Sequence, residues 1–95
     1  MAYTIREDIA KEFLSYIAEV MEMGAKKHGD GNWMQPSGKK SSRKEMCDSL
    51  FHHLAQTFAG NLIDDESGLD HRQHAACRNL MSLYIDKHNI RSNND

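Results

Sequence analysis

The sequence predicts an all-α fold, a compact bundle of three main helices with two glycine-containing loops. Apolar residues recur at three- and four-residue steps in three separate segments, which is the period of an amphipathic helix. Most of the six glycines, together with the single proline, lie between these segments, where they interrupt a helix. At 95 residues the chain is expected to form one domain over its whole length.

The first helix is predicted from about Ile5 to Ala25. Thr4 is a candidate N-cap, and Glu7, three residues later, has the position of its capping-box partner. Its apolar stripe consists of Ile5, Ile9, Phe13, Tyr16, Ile17, Val20 and Met23. The following stretch, residues 26–42, holds three glycines and the proline and is therefore predicted to be a loop.

The second helix is predicted to begin near Ser42 or Arg43 and to end at Gly60, a typical C-terminal capping residue. Its predicted inner face carries Met46, Cys47, Leu50, Phe51, Leu54 and Phe58. After a second loop, Asp70 is the expected N-cap of a third helix that runs to about Lys87. That helix is expected to turn Cys77, Leu80, Met81, Tyr84 and Ile85 inward.

Size and charge restrict the class of protein. A domain this small buries only about 60 to 65% of its unfolded surface, so we expect the bundle to be completed by homo-oligomerisation. Twelve basic against fourteen acidic residues give a net charge of -2, which provides no general attraction for duplex nucleic acid or an anionic membrane. The apolar runs are shorter than the roughly 20 residues of a membrane span, so a cytoplasmic protein is expected.

The two cysteines form no C-x-x-C motif, which argues against a zinc ribbon or a redox pair. Cys47 and Cys77 are each expected to be small buried apolar residues in a reducing compartment.

Pairs of carboxylates recur at three-residue spacing in the first two helices. Glu19 and Glu22 share one side of the first helix, and Glu45 and Asp48 share one side of the second. If these helices pack antiparallel, their acidic edges face each other and offer the oxygen ligands that Mg²⁺ or Mn²⁺ prefers. The E-x-x-E and E-x-x-D spacing resembles MazG-type all-α NTP pyrophosphatases, although a solvated charged face is the alternative explanation.

A longer resemblance covers about residues 18–84. The strings AEVMEMGAKKHGDGNW, CDSLFHHLA and AGNLIDDESGLDHRQHAA together resemble the N-terminal domain of the dATP/dGTP diphosphohydrolase family of phages and bacteria. Carried over position by position, the resemblance points to Glu19, Lys26, Lys27, Asn32, Trp33, Asp48, His53, Asp65, Glu66, Ser67, His71 and His74. The more basic connection at residues 34–40 departs from the family pattern, and Glu22 and Glu45 fit the MazG pattern better.

These patterns give each candidate residue a role. Glu19, Asp48 and Asp65 are the expected metal ligands, and Glu22 and Glu45 are the expected catalytic carboxylates that orient or deprotonate the attacking water. The expected substrate-binding residues are Lys26, Lys27, Asn32, Trp33, His53, His71 and His74. Trp33 has two interpretations, a core anchor that closes the loop or a surface for a purine base, and the anchor is favoured.

The resemblance implies a metal-dependent (d)NTP pyrophosphohydrolase that acts on a purine deoxynucleoside triphosphate with Mg²⁺ or Mn²⁺. The alternative is a non-catalytic phage-type protein that sequesters a nucleotide or a cyclic-nucleotide immune signal. A third interpretation is a helical adaptor or inhibitor that presents a Met-rich surface to another protein.

Overall fold

The computed structural model describes residues 6–29, 31–34 and 43–88. Within them the chain forms three α-helices, α1 (Glu7–His28), α2 (Arg43–Phe58) and α3 (His71–Lys87), and a short 3₁₀ helix at Asn32–Met34. These ranges contain one isolated β-bridge and no strand, which confirms the predicted all-α fold. The proposed N-cap Thr4 lies outside the described residues. The N-cap of α1 is Arg6, so Glu7 is the first residue of the helix and the predicted capping-box role of Glu7 is wrong.

Helix α1 runs three residues beyond its predicted end. Its first turn carries the acidic residues Glu7 and Asp8, and its last turn is basic. These charges are opposite in sign to the partial charges of the helix dipole at each end, so they stabilise the helix. The helix stops at Gly29, which has φ +94° and donates its backbone N–H to the carbonyl of Ala25. A residue with a side chain is strained at this φ, so Gly29 marks the end of the helix better than Ala25 does.

The end of α2 is a Schellman motif centred on Gly60, as its glycine predicted. Gly60 has φ +88°, and its N–H donates to the carbonyl of Thr57 at 3.0 Å. The next N–H, from Asn61, donates to the carbonyl of Gln56 at 2.9 Å. Together the two bonds satisfy carbonyls that the helix leaves open.

Helix α3 begins with the predicted N-cap. Asp70 accepts a hydrogen bond from the backbone N–H of Arg72 at 2.8 Å, and the side chain of Gln73 accepts from the N–H of Asp70, which completes a capping box. The bridge between Ile63 and Asp70 brings the two ends of the preceding loop together, with the N–H of His71 donating to the carbonyl of Leu62.

Helix α3 is the central element, packed extensively on α2 and more sparsely on α1. The buried apolar core contains Val20 from α1, Met46 from α2, and Cys77, Met81 and Ile85 from α3. Ile17, Trp33 and Leu69 pack against this core from its edges. Trp33 also meets Tyr84 edge to face, with ring centroids 5.5 Å apart, so Trp33 anchors its loop as favoured from the sequence.

The predicted inner faces of α2 and α3 are only partly correct. On α2, Cys47, Phe51 and Phe58 are exposed, Phe51 by 74% and Phe58 by 85%, and the buried line instead runs through Met46 and His53. On α3, Leu80 and Tyr84 are exposed while Cys77, Met81 and Ile85 are buried. Both apolar stripes are wide, and packing between α2 and α3 selects one edge of each.

The expectation that both cysteines are buried holds for Cys77 and is wrong for Cys47, which faces away from the core. Helix α1 shows a similar division along its length. Val20 is buried in the core, whereas Ile9, Phe13 and Tyr16, in the N-terminal half of the same stripe, are exposed. No helix in the described ranges is both long and apolar enough to cross a membrane.

Candidate functional site

A cleft of about 550 Å³ opens between the three helices and is the candidate functional site. Its walls come from the C-terminal half of α1, the first three turns of α2, the turn at residues 64–67 and the face of α3 that carries His74, Arg78 and Met81. Trp33 and the glycines that follow α1, Gly29 and Gly31, also line it. We call this space the central cleft.

The polar side chains of the central cleft are of three kinds. Its cationic side chains are Lys27 and Arg78. Its carboxylates are Glu45, Asp48, Asp64 and Glu66, and its imidazoles are His28, His52, His53 and His74. Cations able to hold phosphate oxygens therefore share one space with carboxylates able to hold a divalent cation.

Three buried imidazoles, those of His53, His71 and His74, form a cluster, and His53 and His74 line the cleft. The Nδ1 atoms of His53 and His71 lie 2.8 Å apart, so one nitrogen donates a proton to the other. The ring of His53 stacks on the ring of His74, with centroids 4.5 Å apart and planes 11° from parallel. Helix α2 contributes His53 and helix α3 contributes the other two, so the cluster forms only when these helices pack.

A polar network in the second loop contacts this cluster. Asp64 Oδ2 accepts hydrogen bonds from the backbone N–H of Ser67 at 3.0 Å and from its hydroxyl at 2.7 Å. The same hydroxyl oxygen lies 2.8 Å from Nε2 of His74 and accepts from the backbone N–H of Leu69 at 3.2 Å. The loop thereby fixes one edge of the His74 ring.

Burial favours the neutral forms of His53 and His74. The pKa of His53 is lowered from 6.5 to about 4, mainly by burial and further by the neighbouring histidines. Burial also lowers the pKa of His74, although Asp64 acts in the opposite direction. Burial raises the pKa of Asp64, but the hydrogen bonds from Ser67 and the nearby imidazoles outweigh this, so the pKa stays below its usual value and the group is a carboxylate.

The cationic side chains are tied to neighbours across the cleft. Lys27 on α1 forms an ion pair with Glu66 in the second loop, which links two walls of the cleft. Arg78 is half-buried, and its Nε donates to Ser49 Oγ on α2 at 3.2 Å. Asp48 pairs with Lys44, one turn earlier on α2, at 2.9 Å.

Several residues predicted from the sequence meet in this cleft, and others do not. Lys27, Trp33, Glu45, Asp48, His53 and His74 all line it. His71 is not among the lining residues but contacts His53 directly. The backbone of Asn32 lies in the 3₁₀ helix, and its side chain falls outside the described residues.

The remaining predicted residues lie outside the central cleft. Glu19 accepts a weak hydrogen bond from Gln73 Nε2 at 3.3 Å, and Glu22 pairs with Lys26 at 3.5 Å on the exposed side of α1. Asp65 is exposed in the second loop. Because α1 and α2 are arranged around α3, the two acidic edges do not meet as antiparallel packing of α1 on α2 would have placed them.

Among the described residues, no three His, Cys, Asp or Glu side chains lie close enough together to hold a metal ion. The chemistry of the donors in the cleft nevertheless suits a hard cation, because Glu45 and Asp48 lie one turn apart on α2 and both line it.

Arg78 is the main cleft residue that the sequence did not single out. It follows His74 by four residues, so on a helix the two side chains lie on one face. That spacing was the available signal, but arginine is common on solvated helix faces, and its placement depends on how α3 packs on α2.

Comparison with known proteins gives two findings. Residues 6–94 match the model of the family described as dATP/dGTP diphosphohydrolase, N-terminal. The dATP/dGTP diphosphohydrolase of Salmonella phage PMBT28 is 35% identical over 68 residues, which are 72% of this chain and 22% of that protein. The chain therefore matches about a fifth of the length of this relative, and no solved structure matches it significantly.

Proposed function

This chain belongs to the dATP/dGTP diphosphohydrolase N-terminal family, and on that premise we propose that it is a metal-dependent pyrophosphohydrolase of purine deoxynucleoside triphosphates. The reaction would take one water and release pyrophosphate and a nucleoside monophosphate. The observation that carries the proposal is the meeting of Lys27 and Arg78 with Glu45 and Asp48 in one cleft.

The size and walls of the cleft suit a nucleotide. Its volume of about 550 Å³ lies within the usual range of small-molecule sites, roughly 300 to 1,000 Å³. Trp33 and Met81 provide apolar wall on which a purine and its sugar can pack, and the charged side chains provide the polar part.

The triphosphate would lie near Lys27 and Arg78. The pairing of Lys27 with Glu66 is exposed, and such pairs contribute little to stability, so Lys27 can exchange its carboxylate partner for phosphate at small cost. Arg78 Nε donates to Ser49 Oγ and Nη1 donates to Met81 Sδ at 3.5 Å, so the phosphate oxygens would be bound by the remaining N–H groups of the planar guanidinium.

A divalent Mg²⁺ or Mn²⁺ would be held by Glu45 and Asp48, and when bound it supplies neutralisation of phosphate charge. Asp48 would have to leave Lys44, again an exposed pair of low cost. Of the two carboxylates proposed for water activation, Glu45 lines the cleft and Glu22 does not. Glu19, Glu22 and Asp65 would join the site only from a neighbouring subunit or after a rearrangement of the chain.

Sequestration without hydrolysis is the second candidate. It is favoured by the ion pairs that occupy Asp48 and Glu66, because a carboxylate held by lysine is less available for metal. The same cations and imidazoles would then hold a nucleotide or cyclic nucleotide intact.

The test is chromatography of dATP and dGTP after incubation with the full chain and Mg²⁺ or Mn²⁺. Monophosphate and pyrophosphate are expected, with turnover reduced at least about 100-fold in Asp48→Asn because the charge that holds the metal is removed. Asp8→Asn, an exposed change in the first turn of α1, is the matched control and should leave turnover unchanged.

The possible outcomes separate the candidates. Equal turnover in wild type and Asp48→Asn would contradict the proposed metal site. Nucleotide recovered intact from a tight complex would instead favour sequestration.

We also propose that copies of this chain associate through α1. The stripe that is buried at Val20 continues without interruption to the exposed Phe13 and Ile9, so a second copy could extend the same apolar contact.

A further inference from the structure

We propose that Asp64 and Ser67 are positioning residues that hold His74 as its neutral Nε2–H tautomer and thereby make Nδ1 a hydrogen-bond acceptor for a ligand in the central cleft. The matching ligand group is an O–H or N–H of the nucleoside part of a nucleotide. The identity of the ligand rests on the proposed function, whereas the tautomer does not.

The tautomer follows from counting donors around Ser67 Oγ. A serine hydroxyl has one hydrogen and two lone pairs. Asp64 is a carboxylate and only accepts, so the contact of 2.7 Å with Oδ2 uses the hydroxyl hydrogen. Both lone pairs then accept, one from the backbone N–H of Leu69 and the other from Nε2 of His74 at 2.8 Å. Nε2 must therefore carry a hydrogen.

The other nitrogen of the same ring is the unusual feature. Nδ1 of His74 is inaccessible to solvent and has no hydrogen-bond partner among the residues that the structure describes. The side chain is only 3% exposed, and stacking on His53 fixes the plane of the ring. Burial without a partner costs free energy, and His74 lines the central cleft, so a ligand donor that reaches Nδ1 when the cleft is occupied would remove this cost.

A charged His74 imidazolium would have a hydrogen on Nδ1 and no lone pair there, but the surroundings of His74 disfavour the charged form. The groups that face it are Asp64, Glu66 and Ser67 from the loop, His53 from α2, and His71 and Arg78 from α3. Burial, with Arg78 and His71, lowers the pKa of His74 and outweighs Asp64 and Glu66, which favour the cation. At neutral pH the ring presents a lone pair at Nδ1.

A lone pair selects the kind of group that can bind. Phosphate oxygens at neutral pH are mainly acceptors and would be repelled by Nδ1, so His74 does not suit the triphosphate. The sugar 3′-hydroxyl and the exocyclic amine of a purine are donors. The structure thus divides the cleft into phosphate-binding side chains, Lys27 and Arg78, and a nucleoside-binding side chain, His74.

The first experiment measures the tautomer directly. In ¹⁵N-labelled full-length chain at pH 7.5, two-bond proton–nitrogen spectra should show a protonated Nε2 and an unprotonated Nδ1 for His74, assigned by the signals lost in His74→Gln. Ser67→Ala should lose this single tautomer and Ser67→Thr, which keeps the hydroxyl, should retain it. A protonated Nδ1 in the wild type would overturn the proposal, as would an unchanged spectrum in Ser67→Ala.

The second experiment measures binding by calorimetry, with dGMP and inorganic pyrophosphate as probes. Ser67→Ala should weaken dGMP about tenfold, the effect of about 1.4 kcal/mol, and leave pyrophosphate unchanged, while Ser67→Thr restores dGMP. An equal loss for both probes, or no loss for either, would overturn the role of His74 as acceptor. The analogue lacking the 3′-hydroxyl, 2′,3′-dideoxy-GMP, separates the donors: it binds wild type weakly if the sugar donates and normally if the base does.

These readouts separate two kinds of failure. If the wild type binds neither probe, the proposed function and the acceptor role both fail, and the spectra still decide whether Asp64 and Ser67 fix the ring. If dGMP binds but triphosphates are not hydrolysed, the acceptor role stands and the enzymatic proposal fails.

Discussion

At the scale of single residues, the protein concentrates its unusual chemistry in buried imidazoles. His53 and His71 share one hydrogen bond between two Nδ1 atoms, so the pair can hold one proton between those atoms and not two. In the neutral pair one ring carries its hydrogen at Nδ1 and the other at Nε2, so a further proton would place a charge within a buried cluster that also contains His74. The cluster is therefore compatible with neutral pH and unfavourable in acid.

This arrangement predicts loss of stability in acid. The pKa of His53 is about 4 in the folded chain against 6.5 for the ordinary side chain, so between these values the unfolded chain binds the proton that the folded chain excludes. The free energy of unfolding is therefore highest above about pH 6.5, and it falls by up to about 3 kcal/mol as the pH decreases towards 4. The pKa of His74 is also lowered in the folded chain, so His74 adds to the loss of stability in acid.

Urea unfolding from pH 4.5 to 7.5 measures this dependence. His53→Gln should have a shallower fall in unfolding free energy across the range because its side chain does not titrate there. His88→Gln, at the exposed end of α3, is the control and should follow the wild type. A fall of the same steepness in both variants would contradict the assignment to His53.

At the scale of elements, the ends of the helices are fixed by a few polar and glycine contacts. Asp70 begins α3 and also accepts two side-chain hydrogen bonds from Arg72, which lower its pKa to about 2. Gly60 and Gly68, both with positive φ, shape the loop that lies between these helices. The loop geometry places Asp64 and Ser67 beside His74, so helix capping and the candidate site are connected.

Replacing the N-cap should destabilise the protein. Asp70→Ala removes the acceptor for the N–H of Arg72, and we expect a loss of about 1 kcal/mol in unfolding free energy, measured by urea titration at pH 7. Asn79→Ala, on the exposed face of α3, should cause no loss because alanine favours helix. A cost as large for Asn79→Ala would show that the cap is not the source of the effect.

Two glycine replacements should have opposite effects. Gly60→Ala forces a side chain onto a residue with φ +88° and should cost about 1 kcal/mol. Gly24→Ala, inside α1 with no atom within 4 Å of the added Cβ, should stabilise by about 0.5 to 1 kcal/mol. Melting temperatures that move in the same direction for both variants would contradict the backbone conformations assigned to Gly60 and Gly24.

At the scale of the whole molecule, the core is small for the apolar content of the chain. In the part of the chain that the structure describes, the core cluster includes a single buried residue from α1, Val20, while Phe13 is 59% exposed on the same helix and Phe51 and Phe58 are exposed on α2. Exposed aromatic side chains in this number suit association with another surface better than a monomer in water.

Association of copies through α1 can be tested by sedimentation velocity over a range of concentrations. The wild type should associate, and Phe13→Asp should shift it towards the monomer without unfolding it, since Phe13 contributes little to the core. Lys11→Asp introduces the same acid on the polar side of α1 and should leave association unchanged. A wild type that is monomeric at every concentration would contradict the proposal.

Many residues of the candidate site could be predicted from the sequence, but their arrangement could not. Lys27, Asp48, His53 and His74 were identified through the resemblance to a family and lie together in the cleft. The contact between the Nδ1 atoms of His53 and His71 could not be predicted from the sequence, because it depends on the distance between two helices. The same is true of the four carboxylates: spacing placed them in pairs, and packing kept the pair on α1 out of the cleft.

The sequence by itself determined the three helices, the cap at Asp70 and the turn at Gly60, because these depend on interactions within a few residues along the chain. Tertiary structure decided which edge of each wide apolar stripe is buried, and hence which polar side chains meet. That choice depends on how α3 packs between its neighbours. Burial of His53 in place of Phe51 is its clearest result, since a histidine enters the core where a partner for its Nδ1 is present.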